Sequence, residues 1–185
     1  MKLLRSLALV ALLPLAVFAQ ERTLKLDKTK SYVDVDVDTT VDFTAHLDQW
    51  DATVGLDQAG KPRTAKFTFR FADLKTGKAE RDAKMIEWLG GGEPTGEFTL
   101  GMLAVTPDGQ GQASGRLTFH GVSQLIEFPV NVTKDAAGAY TITGAVTLDT
   151  RNWKLKVIRM AMLLKVDPEV KVRFQLVGAP AEAAK

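Results

Sequence analysis

The predicted fold is organised around the stretch GRLTFHGVSQLIEFPVNVT, residues 115–133. Apolar and polar residues alternate on both sides of Gly121, which is typical of β-strands that bury one face. Gly121, Ser123 and Gln124 are interpreted as the polar connection between the two strands. We therefore predict an antiparallel hairpin with one face covered by protein alone or by protein and a ligand. The residues on that face are Leu117, Phe119, Ile126, Phe128, Val130 and Val132.

Residues 1–19 have the features of an export signal. Lys2 and Arg5 provide a basic start, and a long apolar run with a small-residue cleavage site follows. The run is shorter than the ~20 apolar residues that a membrane span needs, so an uncleaved anchor is the weaker alternative. We expect a periplasmic or secreted protein whose mature chain begins at Gln20 and forms a single domain over residues 20–185.

The mature chain has no net charge and no cysteine. Two of the 24 Lys and Arg residues lie in the leader, so the 22 that remain match the 22 Asp and Glu residues. A neutral surface of mixed sign offers no basic field for nucleic acid or anionic lipid, so we expect neither a nucleic-acid partner nor stable membrane insertion. The absence of cysteine excludes thiol catalysis and Cys-ligated metal centres.

Alternation of apolar residues continues through most of the mature chain and predicts roughly eight to ten short strands. In one of them Ala65, Phe67, Phe69 and Phe71 share a face, which concentrates aromatic bulk at one place. In the strand at residues 32–38, three valines alternate with three aspartates. Those aspartates predict a solvated, self-repelling face that discourages pairing at a sheet edge.

Three segments carry weaker signals. Residues 98–105 form a predicted strand whose buried face is ambiguous. Residues 158–166 are apolar on both faces and receive no assignment. The short, alanine-rich segment from Gly178 onward is interpreted as a tail.

The apolar period changes to about 3.6 residues between Ala79 and Leu89, which predicts the single helix of the fold. Met85, Trp88 and Leu89 share one stripe of this helix, and the glycines at 90–92 end it. We expect the stripe to pack against the sheet, over one end or along the wall. If the sheet encloses a lumen, the helix would control ligand access to it.

The strand pattern predicts an all-β fold with one inserted helix. Nearly every strand has one apolar face, which is typical of an antiparallel sheet with one side buried. A sheet of this size most simply closes into a β-barrel, because closure removes the exposed edges. A β-sandwich is the alternative, since alternation alone does not distinguish the two architectures.

The sequence offers no catalytic or metal-binding motif. His46 and His120 are the only histidines, and both fall on the polar phase of their strands, which favours two surface side chains over a shared metal site. The patterns HExxH, GxSxG and GxGxxG do not occur. We therefore predict no enzyme activity, no catalytic residue, no metal and no cofactor.

Four groups of residues together form a recognisable pattern. They are residues 31–33 (SYV), Arg81-Asp82 with Met85, Pro94 and Phe98, residues 115–123 (GRLTFHGVS), and residues 150–153 (TRNW). The pattern resembles the YceI-like family of exported polyisoprenoid-binding proteins. The resemblance implies an eight-stranded, lipocalin-like antiparallel barrel whose apolar lumen holds a long isoprenoid chain. One departure is Lys154, which stands where the family usually has glycine.

Two functions follow from these observations. In the first, the barrel buries a polyisoprenoid or quinone-like lipid for carriage or storage, as the resemblance implies. In the second, side chains fill the barrel, and the protein acts through its surface as an interaction or stress-related protein without a ligand. A homodimer is left open in either case. Our candidates for the wall of a lumen are Phe43, Phe67, Phe69, Phe71, Trp88, Leu117, Phe119, Phe128, Val170, Val172 and Phe174.

Overall fold

A computed structural model describes residues 22–160 and 164–181 of the 185-residue chain. The predicted leader, residues 1–19, lies outside the described residues. Part of the segment at 158–166 that received no assignment also lies outside them.

The described part of the chain contains thirteen strands, one α-helix and two short 3₁₀ turns. The helix, α1, spans Ala79–Trp88, and the 3₁₀ turns span Phe71–Asp73 and Thr150–Trp153. The strands are β1 (Arg22–Leu26), β2 (Tyr32–Val37), β3 (Phe43–Leu47), β4 (Trp50–Leu56), β5 (Pro62–Arg70), β6 (Leu74–Lys75), β7 (Thr95–Val105), β8 (Gln110–Phe119), β9 (Val122–Lys134), β10 (Tyr140–Asp149), β11 (Arg159–Met160), β12 (Leu164–Lys165) and β13 (Glu169–Pro180).

Eight of these strands form a closed antiparallel barrel in the order β1-β4-β5-β7-β8-β9-β10-β13. The circle closes because β13 pairs with β1 as well as with β10. Three further strands extend the sheet from β13. β2 pairs with the first half of β13, β3 pairs with β2, and β6 pairs with β3. The barrel prediction is confirmed, and the sandwich alternative is wrong.

The strand that closes the barrel lies where the sequence pattern gave no strand. Leu24, Lys25 and Leu26 of β1 pair with Pro180, Ala179 and Gly178 of β13. The segment from Gly178 onward is therefore not simply a tail, because its first three residues belong to the barrel wall. The paired stretches are only three residues long, so alternation alone could not identify them.

The predicted hairpin at residues 115–133 is formed by β8 and β9, but its turn is tighter than expected. Phe119 pairs with Val122, which leaves only His120 and Gly121 between the strands. Their φ angles are 50° and 69°, as a two-residue hairpin turn with two left-handed residues requires. Ser123 is not part of the connection, because it pairs with Thr118 inside the ladder.

The helix α1 covers one end of the barrel. Asp82 fixes its first turn to the end of β6, because its carboxylate accepts hydrogen bonds from the Thr76 backbone amide and hydroxyl at 2.9 and 2.6 Å. Met85 and Trp88 pack against the core cluster that contains Leu89. Among the described residues, no helix has the length and apolar character needed to cross a bilayer.

The aspartate face of β2 is neither a sheet edge nor a repelling surface. Strand β2 lies between β13 and β3, so both of its sides are paired. The Arg173 guanidinium donates to Asp36 at 2.6 and 2.9 Å and lies 3.6 Å from Asp34. The expected edge was wrong because the compensating charge lies on β13, distant in sequence but adjacent in the sheet.

Candidate ligand-binding site

The barrel encloses an apolar cavity of about 1200 Å³. Its wall is formed by the alternate residues of each strand that point inward. Examples are the three valines of β2, at positions 33, 35 and 37, and Val170 and Val172 of β13. The volume exceeds the ~300–1,000 Å³ of common small-molecule pockets. The cavity is therefore large enough for an extended apolar ligand.

All eleven residues nominated from the sequence lie along this cavity. Their part in binding a ligand stays a prediction, because position alone does not test it. Phe71 reaches the cavity from the 3₁₀ turn after β5 and not from the strand itself, as the pattern had suggested. The eleven are Phe43, Phe67, Phe69, Phe71, Trp88, Leu117, Phe119, Phe128, Val170, Val172 and Phe174.

Two phenylalanine rings lie over glycines of the neighbouring strand on the inner wall. Phe69 pairs directly with Gly96, and a Cβ on Gly96 would overlap its ring. Phe174 pairs directly with Gly144, where a Cβ would lie 2.6 Å from its Cζ atom. Such aromatic covering of glycine is a known device of sheets. Because the two rings lie along the wall, they leave space in the centre of the barrel that rings pointing toward the barrel axis would occupy.

A continuous aromatic stripe runs along one side of the cavity. Phe69 lies 5.8 Å from Phe67 and 5.0 Å from Phe71, measured between ring centroids. Phe71 contacts Phe119 at 5.5 Å, and Phe119 stacks on the buried Trp153 at 4.6 Å. Because each ring supports the next, the stripe forms a stiff apolar surface.

The end of the barrel opposite α1 is closed by side chains. Leu24, Leu56 and Ile142 are buried there in one cluster with Tyr140. The Tyr140 hydroxyl donates to the Gly60 carbonyl, which ties β10 to the loop before β5. A ligand that enters along the barrel axis must therefore come from the α1 end.

The mouth at the α1 end carries charged groups of both signs. Lys78, Lys84 and Glu87 of the helix region line it together with Lys156 and Asp167. This mixed rim contrasts with the apolar interior. A ligand that fits both would have a long apolar chain and a polar head group.

Two contacts hold the helix over the mouth. The Trp88 indole N–H donates to the Lys156 carbonyl at 2.6 Å, and the Arg81 guanidinium lies 3.6 Å from the centre of the Phe43 ring. Trp88 is only half-buried, so it faces both the cavity and the rim. These contacts link α1 to the start of β3 and to the segment after the second 3₁₀ turn.

One cluster of paired ionisable groups, formed by β2, β3 and β13, lies on the outer face of the barrel. Hydrogen bonds from Arg173 lower the pKa of Asp36 to about 2. His46 contacts Asp34 on the same outer face at 2.8 Å, whereas His120 contacts the Trp153 carbonyl at 2.9 Å. The two histidines thus have separate partners, and no group of three metal-ligating side chains occurs among the described residues.

A family model for the YceI-like domain matches residues 24–178. The chain belongs to the YceI-like family. No curated protein matches it in sequence.

Among solved structures, the chain of this YceI-like protein is similar to Burkholderia cenocepacia BcnA, with 19% identity and a TM-score of 0.69 over 84% of this chain and 100% of the other. It is similar to a polyisoprenoid binding domain from Saccharophagus degradans implicated in plant cell wall breakdown, with 21% identity and a TM-score of 0.67 over 87% and 100%. The Campylobacter jejuni YCEI protein gives 16% identity and a TM-score of 0.59 over 75% and 85%. At these identities the likeness establishes the fold.

The sequence reasoning missed part of the cavity wall. The three valines of β2 were assigned to a strand but not nominated as wall residues, although they alternate with the charged Asp34 and Asp36. Leu100 and Leu103 of β7 were also missed. A bulge between Leu100 and Met102 moves the inward phase from even to odd positions, which explains the ambiguous facing of residues 98–105.

Proposed function

We propose that this YceI-like protein is an exported carrier or store that holds the prenyl chain of a polyisoprenoid or isoprenoid quinone in its barrel. The observation that carries the proposal is the apolar cavity itself. At roughly 30 Å³ per heavy atom, the share of a water molecule in the liquid, 1200 Å³ accommodates on the order of forty carbon atoms, about eight isoprene units. The solved polyisoprenoid-binding domain of the same fold supports this choice of chain.

The energetics favour an apolar chain in this cavity. Burying a CH₂ group contributes about 0.8 kcal/mol, so a few isoprene units are sufficient for useful binding. The binding surface is preformed, because Phe69 and Phe174 are held against Gly96 and Gly144 and need no rearrangement. The charged rim at Lys84 and its neighbours would remain in water beside the polar head of the lipid.

A binding role also accounts for the distribution of polar groups better than catalysis does. The charged residues around the cavity are found at the mouth and on the outer edge of β5, whereas the inner wall is apolar. The alternative of a barrel filled by its own side chains is disfavoured by the volume of the cavity. We therefore propose a binding protein that has no catalytic activity.

Lipid extraction tests the proposal directly. Protein purified without detergent from its native host would be extracted with organic solvent, and the extract analysed by mass spectrometry. Val172→Trp fills the lumen from β13, whereas Lys171→Trp adds the same side chain to the outer face one residue earlier. We expect a prenyl lipid from wild type and from Lys171→Trp, and much less from Val172→Trp.

The extraction has two informative failures. If wild-type protein yields no prenyl lipid and binds no prenyl probe after delipidation, the carrier proposal is wrong. If Val172→Trp retains as much lipid as Lys171→Trp, the lipid is bound somewhere other than the lumen.

We also propose export to the periplasm or beyond, on the basis of the leader-like residues 1–19. N-terminal analysis of protein from the native host should give a chain that begins at Gln20. An intact Met1 in the membrane fraction would contradict export with cleavage.

A further inference from the structure

The rim of the α1 mouth is a ring of segments joined to one another. The segment between β2 and β3, residues 38–42, is tied to the approach to β13, because the Asp167 amide donates to the Asp38 carbonyl at 3.0 Å. The Val166 amide in turn donates to the Ile158 carbonyl at 3.3 Å. The two contacts of α1 described above complete the ring from the segment after the second 3₁₀ turn back to the start of β3.

Apolar side chains are presented to the outside along this rim. Val41, in the segment between β2 and β3, borders the mouth with 79% of its surface exposed, and it is the most exposed large apolar side chain of the described residues. Val157, Ile158 and Val166 line the same opening and are half-buried. A single exposed apolar residue needs no explanation, but a row of them around the entrance of an apolar cavity marks an interaction surface.

The rim also carries equal numbers of unpaired cations and anions. It has four basic and four acidic side chains. In the described part of the chain, none of the eight forms an ion pair. Since the rim has no net charge, it has no electrostatic preference for an anionic surface. It suits a surface that itself carries both signs, such as the ammonium and phosphate groups of zwitterionic lipids. The eight are Asp42, Lys78, Glu80, Arg81, Lys84, Glu87, Lys156 and Asp167.

We propose that this rim docks reversibly on the surface of a zwitterionic lipid bilayer, so that a prenyl chain passes between the bilayer and the cavity without crossing water. The inference rests on the carrier function proposed above. The opposite end of the barrel is closed, so exchange of the chain takes place at the α1 mouth. Each CH₂ group exposed to water lowers the solubility of the chain several-fold, which makes direct contact with a bilayer the favourable route. Val41 then lies at the boundary between the head groups and the acyl chains, and the charged side chains lie among the head groups.

A fluorescent label at the rim tests docking directly. The chain has no cysteine, so Thr40→Cys can be labelled with a nitrobenzoxadiazole dye at a unique site beside Val41. Ala137→Cys is the control, because it lies in the exposed turn before Tyr140 at the closed end. Equimolar phosphatidylethanolamine and phosphatidylcholine vesicles should blue-shift the label at position 40 and leave the label at position 137 unchanged. High salt should preserve the shift, because the rim has no net charge.

The same substitution at the two ends of the barrel tests the apolar contact. Val41→Asp should weaken vesicle binding by roughly tenfold or more. Val105→Asp places the same side chain at the end of β7, where Val105 is 37% exposed, and should bind vesicles as wild type does. Val41→Trp should bind more tightly, since tryptophan favours the bilayer interface. This second variant keeps the test valid if Val41→Asp fails to fold.

Three results would overturn the inference. If zwitterionic vesicles leave the label at position 40 unchanged, or if neither substitution of Val41 alters vesicle binding, the rim does not dock on a bilayer, and lipid extraction still decides the carrier function. If binding requires phosphatidylglycerol and is lost in high salt, the attraction is to an anionic surface and the zwitterionic assignment is wrong. If extraction and probe binding show no prenyl lipid, the carrier function fails and the inference fails with it.

Discussion

The substitution Phe69→Ala distinguishes a barrel with an internal cavity from a barrel filled by side chains. Phe69 lies against Gly96 on one side and borders the cavity on the other, and it is half-buried. In a filled core, Phe→Ala costs about 3–5 kcal/mol, because it removes buried surface and leaves a new void. Here the void already exists, so the truncation enlarges it without creating one.

The expected loss of stability follows from the contacts of the ring. Phe69→Ala removes two ring pairs, with Phe67 and with Phe71. At about 0.5–1.5 kcal/mol for each pair, the free energy of unfolding of the lipid-free protein should fall by about 2 kcal/mol. A bound prenyl chain should lose contacts equivalent to the burial of roughly two CH₂ groups. At about 0.8 kcal/mol for each group, this weakens binding by about tenfold.

Urea unfolding of delipidated protein and titration with a fluorescent prenyl alcohol would measure both quantities. Leu56→Ala is the control, because Leu56 is 5% exposed and does not line the cavity. It should lose about 2–5 kcal/mol of stability and leave probe affinity unchanged. A loss of 3–5 kcal/mol for Phe69→Ala with unaltered probe binding would refute the reasoning.

Three other substitutions test individual contacts. Hydrogen bonds from Arg173 lower the pKa of Asp36 from 3.8 to about 2, so the pair stabilises the fold above pH 4 and loses that effect as the pH falls toward 2. Asp36→Asn should therefore lower stability by about 1 kcal/mol at pH 7, with the difference vanishing at pH 2 in urea titrations. Lys154 has a φ of 61°, so Lys154→Gly should relieve about 1 kcal/mol of strain and raise Tm by about 2–4 °C. Trp88→Phe removes the hydrogen bond to Lys156 and should increase the dissociation rate of a prenyl probe several-fold in stopped-flow measurements, and an unchanged rate would exclude a role for α1 at the mouth.

The features that sequence could predict are those set by local periodicity. Alternation at Phe67 and Phe69 identified an inward strand face, and the change of period after Ala79 identified α1. Both signals depend only on which side of an element must be buried. The stripe of Met85, Trp88 and Leu89 also gave the packed face of the helix correctly.

The features that sequence could not predict depend on partners distant in the chain. β1 is a strand because it meets the end of β13, which is more than 150 residues away in sequence. Asp36 is paired because Arg173 lies on the adjacent strand. The bulge at Gly101 shifts the inward phase of β7, so no single alternation describes residues 98–105. Each of these requires the register between strands, which hydrophobic pattern alone does not give.

Register also explains why a barrel so rich in phenylalanine remains hollow. Counting aromatic residues suggests a filled core, since each ring can bury 150–250 Å², a typical range for aromatic side chains. Phe69 and Phe174, however, face Gly96 and Gly144 across the ladder, so each ring occupies the space that a missing side chain leaves on the wall. If larger residues stood at positions 96 and 144, the two phenylalanine rings would point toward the barrel axis and fill part of the lumen. The cavity is therefore a property of cross-strand Phe–Gly pairs and not of composition.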